Sequence, residues 1–239
     1  MRRVLVTGGG SGIGRAVARA FAEAGEAVTI CGRRAEALAE TDGGRGMETR
    51  EVDVTDEAAV AALFERPFEV VVANAGAGRA SPVAETSLAQ WSETLAVNLT
   101  GVFLTFRAAL KGMEPGGRLI AIASTASLKG GHSIGAYAAA KHGVLGLVRS
   151  LALEVARDGV TCNAICPGYV DTPMAERAAE GVQARLGLDR EAAVKRLTRG
   201  NPVGRLIAPE EVAAAALYLA SPAAASVNGH ALTLSGGEI

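Results

Sequence analysis

Val4-Leu5-Val6-Thr7-Gly8-Gly9-Gly10-Ser11-Gly12-Ile13-Gly14 joins a short β-branched run to a glycine-rich turn, and helical periodicity takes over directly afterwards. Strand, glycine turn and helix in that order form the setting in which backbone amides cradle a phosphate group. Gly8 permits the tight turn, Gly12 lets the main chain approach a pyrophosphate, and Gly14 lets the helix pack closely on the strand, while Ser11 and Ile13 complete its first turn. The unpaired N–H groups and positive dipole end of that helix then face the anion. A purely structural glycine turn uses the same residues, so the remainder of the chain has to decide between the two.

Outward from this point the pattern repeats. Val28-Thr-Ile30, Val70-Val-Val-Ala73 and Leu119-Ile-Ala-Ile-Ala123 are short, apolar and bounded by Gly or polar residues, as strands buried on both faces are. Between them, Gly14 to Ala24 and Ala58 to Phe64 carry apolar residues every three or four positions, the period of a helix. A third strand is expected just before Asp53. The second half continues with an Ala-rich helix from about Tyr137 to Ala156, a strand over Val160 to Ile165, a helix opening at Pro209 and a last strand near Ala231 to Leu234. Alternation of this kind predicts one Rossmann-type α/β domain over residues 1–239: a doubly wound parallel sheet with helices on both faces, in three α/β/α layers. The stretch 172–206 is rich in Arg, Glu and Gly and has no strand signal. It reads as a helical excursion and a substrate lid.

Composition narrows the partners. With 239 residues, 49% hydrophobic and 21% charged, the chain can bury a large core. A net charge of −1 and the lack of a basic tract argue against a nucleic-acid surface. Cys31, Cys162 and Cys166 lie in apolar runs without metal-site spacing, so they read as buried free thiols and no metal is expected. Met1-Arg2-Arg3 leads straight into a strand with no signal-peptide core, and no apolar run approaches membrane-spanning length, so a cytoplasmic protein is expected.

The second strand ends at Cys31-Gly32-Arg33-Arg34, about twenty residues past the glycines, where a dinucleotide fold selects its ribose. Gly32 offers no carboxylate to a 2′-hydroxyl and Arg33 offers a guanidinium to a 2′-phosphate, which favours NADP(H) over NAD(H). Two solvated arginines at a helix start give the same string. Asp53, beside Val54, either accepts from an adenine amino group or caps the helix that begins near Asp56. The small residues of Asn74-Ala75-Gly76 allow a nucleotide to lie against the backbone.

Tyr137 and Lys141 stand four residues apart on the predicted helix and so share a face. An ammonium beside a phenol stabilises the phenolate, so Lys141 is expected to lower the Tyr137 pKa and ready it for proton transfer to or from an oxygen. Such spacing also arises by chance. Ser124 ends the strand that starts at Leu119, and its hydroxyl can orient a substrate oxygen, with Thr125 and Ser127 as close rivals. Asn98 is a polar residue in the helical run Trp91 to Phe103. It either holds a water that relays protons to Lys141 or satisfies local backbone.

Taken in order, Thr7-Gly-x-x-x-Gly-x-Gly14, Asn74-Ala-Gly76, Asn98, Ser124, Tyr137-x-x-x-Lys141 and Pro167-Gly168 resemble the short-chain dehydrogenase/reductase family over nearly the whole chain. The resemblance implies hydride exchange between a nicotinamide dinucleotide and a carbonyl or secondary alcohol. It implies a catalytic tetrad of Asn98, Ser124, Tyr137 and Lys141, with Lys141 also on the nicotinamide ribose, and contacts to the nicotinamide from Pro167, Gly168, Val170 and Thr172. It implies a homotetramer built through the helices holding Trp91 to Phe106 and Tyr137 to Ala156. The segments Arg33 to Asp53 and Asp56 to Val70 are shorter than is usual in the family, without loss of any motif.

Asn98-Leu-Thr-Gly-Val-Phe103 and Ile165-Cys-Pro-Gly-Tyr-Val-Asp-Thr-Pro-Met174 look like the ketoreductases of 3-oxoacyl and polyketide thioesters. Similar strings occur in alcohol, 3-hydroxy acid and sugar dehydrogenases, and a dinucleotide-binding regulator without catalysis is the reading from a different class. Arg177, Arg185, Arg190, Lys195, Arg196 and Arg199 make the lid basic enough to meet a phosphorylated carrier or coenzyme A, although a solvated helix has the same look. His132, Ser133 and Met174 are placed at the edge of the substrate pocket.

Overall fold

A computed structural model describes residues 1–239. In chain order the elements are β1 (Arg3–Thr7), α1 (Gly12–Glu23), β2 (Ala27–Gly32), α2 (Ala35–Asp42), β3 (Glu48–Glu51), α3 (Glu57–Ala62) and β4 (Val70–Ala73). They continue with α4 (Leu88–Leu95), α5 (Gly101–Leu110), β5 (Arg118–Ile122), α6 (Gly135–Val155), β6 (Thr161–Pro167), α7 (Pro173–Leu186), α8 (Arg190–Leu197), α9 (Pro209–Ala220) and β7 (Ala231–Leu234). All seven strands join one sheet in the order β3-β2-β1-β4-β5-β6-β7, and every pairing is parallel. The chain therefore winds outward from β1 in one direction and from β4 in the other. Where winding reverses, the helices leave opposite faces and a crevice opens past the strand ends.

Alternation along the strands assigns the two faces. Val4, Val6, Ile30, Ile120 and Ile165 point to the side covered by α1 and α9, where Val17, Phe21, Val212 and Leu219 meet them. Leu5, Val71, Leu119, Ala121 and Cys162 point to the other side, against Phe106 of α5 and Val144, Val148 and Leu151 of α6. Helix α1 exists because Gly14, Val17, Ala18 and Phe21 fall on one stripe, all of it buried. Burying a side chain of the size of Phe21 contributes about 2–3 kcal/mol. The five central strands are buried on both faces as their composition requires, whereas β3, Glu-Thr-Arg-Glu, is exposed throughout and stays in the sheet as a charged edge.

The excursion at 172–206 is helical. Its helices α7 and α8 pack on each other through Ala179, Val182 and Ala193, a small core separate from the main ones. At its base the backbone is stapled: Asp171 donates to the Ile207 carbonyl at 2.9 Å and Ile207 to the Tyr169 carbonyl at 2.9 Å. No helix is long and apolar enough to cross a membrane.

Candidate active site

The glycine turn leaves β1 and Asn74-Ala75-Gly76 leaves β4, so the two segments flank the point where the winding reverses. Thr7, which is 1% exposed, ties them together, its Oγ1 accepting from the amides of Asn74 and Ala75 at 3.0 Å each. The Asn74 side-chain amide donates to the carbonyls of Thr7 at 2.9 Å and Gly8 at 3.2 Å. Asn74 is thus a brace for the turn as well as a small-residue neighbour of the crevice. Gly8 has φ +66°, as the tight turn demands. A Cβ on Gly14 would collide with the Gly8 carbonyl and the Asn74 amide, so its closeness serves the turn rather than strand packing. The space beside Gly12 is filled by Thr172, 3.0 Å from where a Cβ would stand, and this joins the turn to the base of the helical excursion.

Whether these residues suit a dinucleotide can be judged from the first turn of α1. Ser11 is its N-cap but makes no side-chain cap bond, and the turn carries no acidic residue. Its N–H groups and dipole are therefore directed at whatever anion binds there. Arg33 is exposed and in no ion pair, next to Gly32 at the end of β2. Asp53 does not cap α3: Asp56 does, accepting from the amides of Ala58 and Ala59. Asp53 instead accepts from the Thr55 amide at 2.9 Å and hydroxyl at 2.8 Å, and these bonds together with the nearby Arg33 charge hold its carboxyl below the usual range. Val54 is a core residue, 6% exposed, packed with Val60 and Leu104.

Beyond β4 the backbone Gly76-Ala77-Gly78 runs beneath three polar side chains. Asn98 is fully buried in a π-helical turn, Ala96–Thr100, between α4 and α5. Its amide donates to the carbonyls of Ala77 at 2.7 Å and Thr94 at 2.9 Å, and its oxygen accepts from the Ala77 N–H at 3.2 Å. The backbone-satisfying alternative for Asn98 is thus realised, and the wider turn is what aims the side chain across at β4. A Cβ on Gly76 would stand 2.9 Å from the Asn98 oxygen and 3.8 Å from the Lys141 Nζ, and one on Gly78 would stand 3.8 Å from the Tyr137 ring.

Tyr137 and Lys141 project from the first turns of α6, with the Lys141 Nζ 5.7 Å from the Tyr137 ring centroid. The ammonium is buried and donates to the Ile122 carbonyl at 2.8 Å. Desolvation presses it down from 10.5 to about 8. The expected lowering of the Tyr137 phenol is not what this arrangement gives. Burial pushes it above its ordinary value, the neighbouring Ser124 hydroxyl only partly opposes this, and Lys141 is turned towards Ile122. At neutral pH Tyr137 is a neutral phenol, an acid with a proton to give.

The short 3-10 turn Thr125–Ser127, which Ser124 caps just past β5, separates Ser124 from its rivals. The Ser124 Oγ accepts from the Ala126 amide at 3.1 Å and stands beside Tyr137, while Thr125 and Ser127 turn inward and are 9% and 2% exposed. The Ser127 hydroxyl lies near the Cys166 thiol and has no hydrogen-bond partner. Pro167 ends β6, Gly168 donates to the Leu234 carbonyl at 3.0 Å, and Val170 is buried at the lid base. Thr172 caps α7, its hydroxyl donating to the Val170 carbonyl at 3.1 Å and accepting from the Ala175 amide. The Met174 sulfur and the Tyr137 ring face Gly78 together, and His132 shares a 2.8 Å hydrogen bond with Ser133. In the helical excursion, Arg190 and Lys195 are engaged by Glu176 and Glu191, leaving Arg177, Arg185, Arg196 and Arg199 outside any ion pair. Sequence reasoning assigned no role to Thr7, Gly78 or Tyr169, although the position of Thr7 at a buried strand end was a usable signal.

Among known families, a model described as enoyl-(acyl carrier protein) reductase, of the short-chain dehydrogenase/reductase type, matches residues 8–238. The chain is a short-chain dehydrogenase/reductase. As such it is a nicotinamide-dependent oxidoreductase that interconverts carbonyls and secondary alcohols. A Streptomyces coelicolor protein provisionally named ketoacyl reductase is 40% identical over 248 residues, covering 98% of this chain and 95% of its own. The D-beta-hydroxybutyrate dehydrogenase of Rhizobium meliloti is 35% identical over 252 residues, 99% of this chain and 98% of that one. A crystal structure of a variant actinorhodin polyketide ketoreductase with NADPH superposes with a TM-score of 0.91 at 38% identity, covering 99% of this chain and 97% of that one.

Proposed function

We propose that this short-chain dehydrogenase/reductase is an NADP(H)-dependent ketoreductase for 3-oxoacyl thioesters or related ketones. The observation that carries the proposal is the convergence of Asn98, Lys141 and Tyr137 on the Gly76–Gly78 backbone at the reversal of the sheet, with Ser124 beside Tyr137. The likeness to the polyketide ketoreductase supports the substrate class, and the unpaired Arg33 beside Gly32 supports the 2′-phosphate.

In this reading Gly8, Ser11, Gly12, Ile13 and Gly14 hold the pyrophosphate and Asp53 and Val54 flank the adenine. Asn74, Ala75 and Gly76 back the nucleotide, and Pro167, Gly168, Val170 and Thr172 border the nicotinamide. When bound, the reduced nicotinamide supplies the hydride to the carbonyl carbon. Ser124 orients the carbonyl oxygen by hydrogen bonding, and Tyr137 gives that oxygen its phenolic proton as negative charge develops there. Lys141, anchored on Ile122, borders Tyr137 and binds the ribose, and Asn98 fixes the backbone on which both rest.

The protein is further read as a cytoplasmic homotetramer. Trp91, Phe103 and Leu153 present 38%, 41% and 83% of their surface on α4, α5 and α6, the faces the family uses for assembly, and the three cysteines are free and buried.

The test is acetoacetyl thioester reduction with NADPH and with NADH, for the wild type and for Tyr137→Phe. Loss of about 10²- to 10⁴-fold in kcat with unchanged NADPH binding is expected for the variant. A Tyr137→Phe enzyme of near wild-type rate overturns the proton-donor assignment, and preference for NADH overturns the role of Arg33.

A further inference from the structure

After β7 the chain folds back on itself. Glu238 donates its N–H to the Ser235 carbonyl at 3.3 Å, and the Asn201 side chain fills the space where Gly236, at φ +60°, would carry a Cβ. This turn delivers the Glu238 carboxylate to three separate segments. Its Oε1 accepts from the Lys129 Nζ at 2.6 Å, in the loop between Ser124 and Tyr137. Its Oε2 lies 3.3 Å from the Cβ position of Gly168, just before the lid, and Oε1 lies 3.1 Å from that of Gly200, near the far end of the lid.

This ion pair differs from those of the lid itself. Arg190 with Glu176 ties α8 to α7 and Lys195 with Glu191 joins neighbouring turns of α8, at side-chain exposures of 40% to 79%. Lys129 and Glu238 are 109 residues apart, with the Lys129 side chain 41% exposed but the Glu238 side chain only 15% exposed. A pair that joins distant segments through a largely buried carboxylate constrains their relative placement, which an exposed pair within one helix does not. The neighbour of Gly168, Tyr169, feels the carboxylate directly: burial and the Glu238 charge both raise its phenol, and Tyr169 in turn raises Tyr137. The clamp and the proton-transfer residues share one electrostatic neighbourhood.

We propose that Glu238 is a positioning residue for the reaction, holding the Ser124-to-Tyr137 loop and both ends of the lid in the arrangement that receives the carbonyl substrate. The inference rests on the ketoreductase reading for its substrate, but the clamp itself is a property of the apo chain. Its test pairs kinetics with limited trypsin digestion of the full chain at the exposed lid arginines, on wild type, Glu238→Gln, Lys129→Gln, and the charge swap Glu238→Lys with Lys129→Glu. Either single variant should raise the KM for an acetoacetyl thioester about tenfold and speed lid cleavage by a similar factor, the equivalent of one charge-assisted hydrogen bond. The kcat and the KM for NADPH should stay within about twofold. The charge swap should restore both readouts, which a variant that merely folds poorly cannot do. Unchanged cleavage, an unchanged substrate KM, or failure of the swap to restore either overturns the proposal. If the wild type reduces no ketone, the ketoreductase reading fails on its own, and the digestion series still decides the clamp.

Discussion

Replacing Lys141 by Met should change how stability depends on pH, by an amount that follows from burial. The Lys141 ammonium is brought down from 10.5 to about 8 by desolvation. Its folded value thus lies below its unfolded one. Between the two, the unfolded chain binds more protons than the folded chain, so stability is lower at neutral pH and rises as pH increases. With the folded value at about 8, the linkage relation gives a gain of about 2 kcal/mol between roughly pH 7.5 and pH 9.5. Lys141→Met lacks this titration. Cys31 and Cys162, both pushed up to about 12, act in the opposite direction, since their thiols ionise first in the unfolded chain. Subtracting variant from wild type removes their effect. Urea unfolding of both proteins at the two pH values, at one fixed protein concentration, reads the difference. Wild type should gain about 2 kcal/mol on the variant as pH rises. A difference that stays flat would refute the reasoning that Lys141 is desolvated in the fold, and with it the account of why its charge does not acidify Tyr137.

Asn98→Ala leaves the N–H and carbonyl of Ala77 without their partner, so unfolding free energy should fall by about 2–4 kcal/mol and kcat should fall with it. An unchanged melting temperature would contradict the bracing role. Gly14→Ala drives a methyl into the Gly8 carbonyl and the Asn74 amide; the NADPH KM should rise at least about tenfold, and isothermal titration showing wild-type affinity would exclude the contact. Arg33→Ser should weaken NADPH by about tenfold to a hundredfold and leave NADH nearly unaffected, as measured by comparing kcat/KM for the two cofactors. Equal losses for both would remove Arg33 from the ribose.

The sequence carried the sheet well where physics writes strands in apolar runs. β1, β4, β5 and β7 lie within a residue of the runs that announce them. β3 could be placed only by its position ahead of Asp53, because an exposed edge strand of Glu, Thr and Arg has no buried face to impose alternation. The juxtaposition of the candidate site residues was legible, since spacing on a helix and position at a strand end are sequence properties. Its electrostatics were not. Four-residue spacing puts Tyr137 and Lys141 on one face, but it does not reveal that the Ile122 carbonyl engages the ammonium or that enclosure outweighs its charge. The same limit applies to Asp53 and Asp56, two aspartates three positions apart, of which only the second meets the amides of α3. The bond from Glu238 to Lys129 spans 109 residues of chain, and no local pattern could have announced it.

Ser124 and the carbonyl of Ile122 both belong to the carboxyl end of β5, a strand flanked by neighbours on each side and covered on both faces. The chemistry proposed for this chain is therefore anchored at a fully buried strand, while α7 and α8 carry their own miniature core. Substituting within that helical pair beyond Met174, which stands beside Tyr137, to accept a larger or differently shaped ketone should leave the proposed reacting groups undisturbed, which makes the excursion, and not the sheet, the place to engineer selectivity.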